Sequence, residues 1–132
     1  MAKFEFLASR QLRGLSKWAF DNTGLLNAVM GKIYSGVPPQ PLVWAMLAAI
    51  VGLWEQKIEV RMKLVESVIR QSIPDKHIPS GTSLYNYLYR AGCCYANLCS
   101  FIKHNKNVYF QPTPALRDIL VEALKLTGKY PK

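Results

Sequence analysis

Apolar residues recur at helical spacing through most of the chain, and charged residues fall between them. Phe4, Ala8, Leu12, Leu15 and Ala19 share one face of an expected N-terminal helix over about 4–20, with Arg10, Arg13 and Lys17 on the opposite face. Asp21, Asn22, Thr23 and Gly24 make a turn, after which Leu25 to Met30 form a short apolar helix. Pro38, Pro39 and Pro41 stiffen a joint at 37–41, and the longest helix is expected from about 41 to 72, where Ile73 and Pro74 stop it. Leu84, Leu88, Ala91, Tyr95, Leu98 and Ile102 are spaced by fours and threes, predicting a Cys- and Tyr-rich helix over about 82–103 with Ser80 or Thr82 as its cap.

The last element has the clearest signals. Thr113 is a good N-cap and Pro114 suits the first helical position, because its φ is already fixed and its missing N–H would have had no partner there. Gly128 follows the last apolar residue, so the helix should cover 114–127. Leu116, Ile119, Leu120, Ala123 and Leu124 line one side, with Arg117, Asp118, Glu122 and Lys125 elsewhere. That face needs cover, from its own domain or from a neighbour. The aromatic run Asn107–Pro112 reads as an extended lead-in. The pattern predicts an all-α fold: one small non-bundle domain over 1–132, of four to five helices, with an extended segment before the C-terminal helix.

The long helix has two different halves. Leu42 to Trp54 carries no charge, yet from Pro41 it covers only about 20 Å against a hydrocarbon core of about 30 Å, and Glu55 and Lys57 follow at once. A helix buried against protein is the expected reading. The other is a membrane span over 33–54 with Trp44 and Trp54 as interfacial anchors, interrupted by three prolines. The second half is amphipathic: Ile58, Met62, Val65 and Ile69 form a stripe, and Glu59 with Lys63 and Glu66 with Arg70 are placed as i, i+4 pairs.

Charge changes this picture more than composition does. Lys and Arg number 17 against 8 Asp and Glu in 132 residues, a formal charge of +9, which suits acidic protein, anionic lipid or nucleic acid. Half the residues are hydrophobic, which excludes a disordered basic tail. The N-terminal helix, rich in Arg and with Glu5 as its one acid, reads as a targeting helix retained on the chain or as an ordinary surface helix. Three cysteines, Cys93, Cys94 and Cys99, argue against a secreted disulfide framework. Their string with His104 lacks the C-x2-C spacing of structural zinc, and reduced thiols on a helix are expected. Tyr85, Tyr87, Tyr89 and Tyr95 suit a protein interface better than base stacking. The sequence carries no phosphate loop, nucleophile elbow or carboxylate–histidine cluster, so no catalytic residue, cofactor or metal site is assigned.

Three blocks, "LSKWAFDNTGLLNAVMGKIY", "RMKLVESVIRQSIPDKH" and "NVYFQPTPALRDILVEALK", resemble the small helical subunit 7, or ubiquinol-binding-protein subunit, of the mitochondrial cytochrome bc1 complex. Trp18, Gly24, Ile33 and Tyr34 match the first block, Arg61, Ile73, Pro74 and Asp75 the second, and Tyr109, Phe110 and Pro112 the third. The chain departs from that family in its lysine at "VMGKIY", its apolar middle and an insertion-like stretch from Pro79 to Asn105 that holds the cysteines. The resemblance implies a non-catalytic accessory subunit of ubiquinol–cytochrome c reductase (complex III) on the matrix side of the mitochondrial inner membrane. Such a subunit braces cytochrome b and the core subunits, is an obligate member of the complex, and meets anionic lipid headgroups such as cardiolipin. No nucleic-acid partner is expected from it. The partner-contact residues would be Arg10, Arg13, Lys17, Trp18, Tyr34, Trp44, Trp54, Arg61, Tyr109, Phe110, Leu116 and Leu120. Two alternatives remain open: an accessory subunit of ATP synthase or complex I with one membrane span, and a mitochondrial RNA-binding or ribosomal protein.

Overall fold

A computed structural model describes residues 9–34, 36–78 and 84–127, with side chains from residue 14 onward. The order is α1 (Ser9–Asp21), α2 (Thr23–Ile33), α3 (Pro41–Glu55), α4 (Met62–Ser72), a 3-10 turn (Asp75–His77), α5 (Leu84–Tyr87) running into a π-helical segment (Leu88–Tyr95), β1 (Cys99–His104), β2 (Asn107–Pro112) and α6 (Pro114–Thr127). The described chain is therefore mostly helical, with one antiparallel hairpin that the helical pattern did not anticipate. Phe4 and Ala8, the caps Ser80 and Thr82, and Gly128 lie outside the described residues, as do the side chains of Arg10, Leu12 and Arg13.

α3 is the axis of the molecule. A helix apolar on every side must be enclosed on every side, and each residue from Leu42 to Leu53 is buried. α1, α4, α6, β2 and the π-helical segment surround it. Pro41 opens the helix and Trp44 N–H bonds the Gln40 carbonyl at 3.1 Å. The indole N–H of Trp44 reaches Asn27 Oδ1 at 2.8 Å, so the largest core side chain keeps its one donor satisfied. On α1, Leu15 and Ala19 are buried, and the buried Ser16 hydroxyl donates to the Ala45 carbonyl at 3.0 Å. Among the described residues no helix is long and apolar enough to cross a membrane.

The expected long helix over 41–72 is in fact two helices, and the break has a specific cause. Lys57 N–H bonds the Trp54 carbonyl at 3.0 Å and Ile58 N–H bonds the Leu53 carbonyl at 3.1 Å, while Lys57 sits at φ 62°. This is a Schellman stop, with lysine in the left-handed position that glycine usually fills. Without a glycine the stop left no mark in the pattern. The chain then runs extended through Val60, and Arg61 precedes α4. Val65 and Ile69 of the expected stripe are buried and Met62 is half-buried, but Ile58 belongs to the loop and faces water. Glu66 and Arg70 pair at 3.4 Å; Glu59, placed before the helix begins, meets Arg61 at 3.7 Å.

The expected helix over 82–103 stops at Tyr95. Asn97 takes φ 54° and reverses the chain, and residues from Cys99 form a strand. The hairpin closes at Asn105–Lys106, with Asn105 at φ 58° as the primed two-residue turns require. Phe110 N–H bonds the Val60 carbonyl at 2.8 Å and Arg61 bridges Tyr109, so the loop after α3 covers the outer edge of β2. α6 has the extent and buried face its pattern implied. Thr113 Oγ1 accepts from Leu116 N–H at 3.4 Å and also donates to the Leu98 carbonyl at 3.0 Å, so one cap starts the helix and anchors it to the residue that precedes β1.

Candidate functional site: an open cleft beside the hairpin

Residues 100, 102, 109 and 111 point to one face of the hairpin, opposite the face carrying Phe101 and Phe110. Against that outer face stand the end of α3, the Lys57–Val60 loop and Arg117 of α6, leaving a cleft of about 670 Å³. Among polar and charged residues its walls hold apolar side chains open to water: Trp54 is 39% exposed, Ile58 40% and Ile102 60%. Lone exposed apolar residues need no explanation, but three around one cleft do.

An ion pair forms the polar end of the cleft. Arg117 Nη2 contacts Glu55 Oε1, and the Arg117 guanidinium carbon lies 5.3 Å from the Trp54 ring centre. The Glu55 side chain is only 7% exposed and that of Arg117 35%. A carboxylate in the last turn of a helix opposes the helix dipole, and burial adds a desolvation cost, so Arg117 is what makes Glu55 tolerable there. Arg117 Nε is buried with no hydrogen-bond acceptor. On the other side of Arg117 a second cleft, about 600 Å³, is lined by Ile33, Val121, Lys125 and Leu126 among others.

The structure gathers some of the expected contact residues here and disperses the rest. Trp54 and Tyr109 line the main cleft, and Arg61 is joined to Tyr109 by the β-bridge. Four expectations are corrected: Trp44, Phe110, Leu116 and Leu120 are buried in this chain's own core, so their apolar surface is spent on folding. Lys17 is engaged with Asp21 at 2.8 Å, and Trp18 is half-buried against the core. Tyr34 is half-buried, its hydroxyl donating to the Asn97 carbonyl at 3.2 Å. Arg10 and Arg13 lie on α1, whose described side chains begin after them.

Sequence reasoning missed Glu55, Lys57, Ile58, Ile102 and Arg117. Ile58 and Ile102 had been placed in helical stripes, where their exposure could not show. Two of the tyrosines pack with each other and with the hairpin, Tyr85 and Tyr89 stacking at 5.9 Å and Phe101 meeting Tyr89 edge-on at 5.1 Å, whereas Tyr95 is exposed. Cys93 is half-buried, Cys94 exposed and Cys99 buried. No protein-family model matches the chain, and no curated protein or solved structure matches it either.

Proposed function

We propose that this chain is a non-catalytic accessory subunit that docks on a larger assembly through the cleft beside its hairpin. The observation that carries this reading is the convergence of Trp54, Ile58 and Ile102, all exposed, on one cleft. An incoming segment would bury these three side chains. Lys57, Arg61, Lys103 and Lys106 lie on the surrounding loop and hairpin, and favour an acidic partner surface.

For the assembly itself, the reading rests on the three sequence blocks: the mitochondrial cytochrome bc1 complex, with the chain on the matrix side of the inner membrane, against cytochrome b and the core subunits. Enclosure of α3 by the chain's own helices favours a peripheral position over the spanning alternative. The packing of Tyr85 on Tyr89, and of Tyr89 on Phe101, favours a protein partner over stacked bases. The test is purification in mild detergent from a tagged copy. Cytochrome b haem should copurify in stoichiometric yield, and Ile102→Glu should reduce that yield at least tenfold. Recovery of the tagged chain without cytochrome b would refute the assignment to this complex; full retention by Ile102→Glu would refute the cleft.

A further inference from the structure

β1 and β2 form a sheet of two strands, so each has one partner and one outer edge. The register settles which backbone groups stand on those edges. In an antiparallel pair, residues that exchange both hydrogen bonds alternate with residues whose N–H and C=O turn away from the partner strand. Phe110 N–H turns away from β1 to the Val60 carbonyl at 2.8 Å, whereas Thr113 N–H turns to the β1 side and bonds the Leu98 carbonyl at 3.1 Å. The bonded pairs are therefore Ser100 with Gln111, Ile102 with Tyr109 and His104 with Asn107. Phe101 and Lys103, opposite Phe110 and Val108, turn their N–H and C=O outwards.

The two outer edges are treated differently. That of β2 is covered by the loop after α3, through Val60 and the Arg61–Tyr109 bridge. The start of β1 is closed by the π-helical segment, where Leu98 N–H bonds the Gly92 carbonyl at 2.8 Å and Cys99 is buried. Beyond it, no backbone group among the described residues meets the outward groups of Phe101 and Lys103. Ser100, Ile102 and Lys103 are exposed. This length of edge borders the cleft, which Ser100, Phe101 and Ile102 help to line.

We propose that the edge of β1 from Phe101 to Lys103 receives an extended, acidic segment of a partner protein as a third strand. The proposal rests on the docking reading above and specifies how the docked segment is held. The outward N–H and C=O groups of both residues then gain partners. Side chains of the added strand alternate in face: those beside Ile102 extend its apolar surface over the cleft, and those level with Lys103 fall on the opposite face. Lys103, with Lys106 at the turn, calls for acidic side chains there. A second copy of this chain is the wrong occupant, because it would bring +9 against +9, and a lysine on an edge strand opposes self-pairing.

The probe is a synthetic peptide alternating valine and glutamate, added to the full chain while amide exchange is followed by NMR. In the free chain the ladder should protect the Ile102 and His104 amides and leave those of Phe101 and Lys103 to exchange freely. With the peptide, exchange at Phe101 and Lys103 should slow by about tenfold or more, with the ladder amides unchanged. That alternation is the mark of strand addition. Lys103→Gln removes the charge and keeps the donor; Lys103→Pro removes both, and proline suits an edge position whose N–H makes no ladder bond. Lys103→Pro should bind the peptide about tenfold more weakly than Lys103→Gln, with Ile102 and His104 still protected. Equal binding by the two variants, equal binding of a valine–lysine peptide, or no binding overturns the proposal. So does edge protection in the free chain that grows with protein concentration, which would report a second copy. Purification of the assembly separates this proposal from the docking reading. If Ile102→Glu sheds the chain while Lys103→Pro and Lys103→Gln are retained alike, the cleft stands and the third strand falls; if all three are retained, both fall.

Discussion

The middle of α3 is enclosed on every side, whereas its last turn carries Trp54 to the surface and opens onto the Lys57–Val60 loop. The middle is uncharged, and the end sets Trp54 and Ile58 among the charges of Glu55, Lys57 and Glu59. What separates them is the partner each has: the middle meets α1, α4, α6 and the π-helical segment, and the end meets a hairpin whose outer face stands away from it. Apolar content therefore does not say whether a face is meant for another chain. The same holds for α6, whose clean stripe looked like an offer to a neighbour and is spent on α2 and α3.

Substitutions on the two sides should separate stability from association. The largest loss of stability belongs to the enclosed side: Trp44→Ala should cost about 3–5 kcal/mol, through lost packing and an orphaned Asn27, read as a fall in denaturation midpoint. Arg117→Met sits at the boundary. It leaves the Glu55 carboxylate buried and unpaired, and should cost about 2–3 kcal/mol, less than a fully buried pair because part of Arg117 is in water. Glu55→Gln in the same chain should recover most of that loss, which a double-mutant cycle measures. Lys57→Gly should raise stability by about 0.5–1 kcal/mol, because it relieves a left-handed lysine at the helix stop and loses part of the gain to backbone entropy. Smallest of all, Ile102→Thr on the open side should change stability by no more than about 0.5 kcal/mol, yet still weaken association.

Local pH behaviour provides a comparison of the same kind between two neighbouring sulfurs. In a Cys94→Ser background, Cys93 should alkylate with a midpoint below that of an ordinary thiol, since its proton is lost more readily. Cys99 should stay unreactive through neutral and mildly alkaline pH. Equal rates for the two would show that they do not share a proton.

Where the chain's own signals were local and complete, the sequence was legible. α6 shows this best: Thr113, Pro114 and the Leu116–Leu124 stripe specify its start and its buried face without help from the rest of the fold. α2 and the start of α3 were legible for similar reasons. The break after Glu55 was not, because Lys57 occupies a position that only glycine advertises. The hairpin was missed because Leu98 and Ile102 fit a helical spacing as well as a strand, and short apolar runs do not distinguish the two. A cue was available in Phe101–Ile102 and Val108–Phe110, β-branched and aromatic residues flanking an asparagine turn. The cleft followed the hairpin out of view, since Ile58, Ile102 and Arg117 come together only once the loop and β2 have paired.

Hydrogen exchange measured on the free chain and on the chain within its assembly tests the division between a closed core and an open cleft most directly. The account predicts that amides of β1 and of the loop from Gln56 to Arg61 become more protected on assembly, while those of α3 from Trp44 to Leu53 and of α6 are protected alike in both states. Protection that rises chiefly in α3 and α6, with β1 and the loop unchanged, would contradict it.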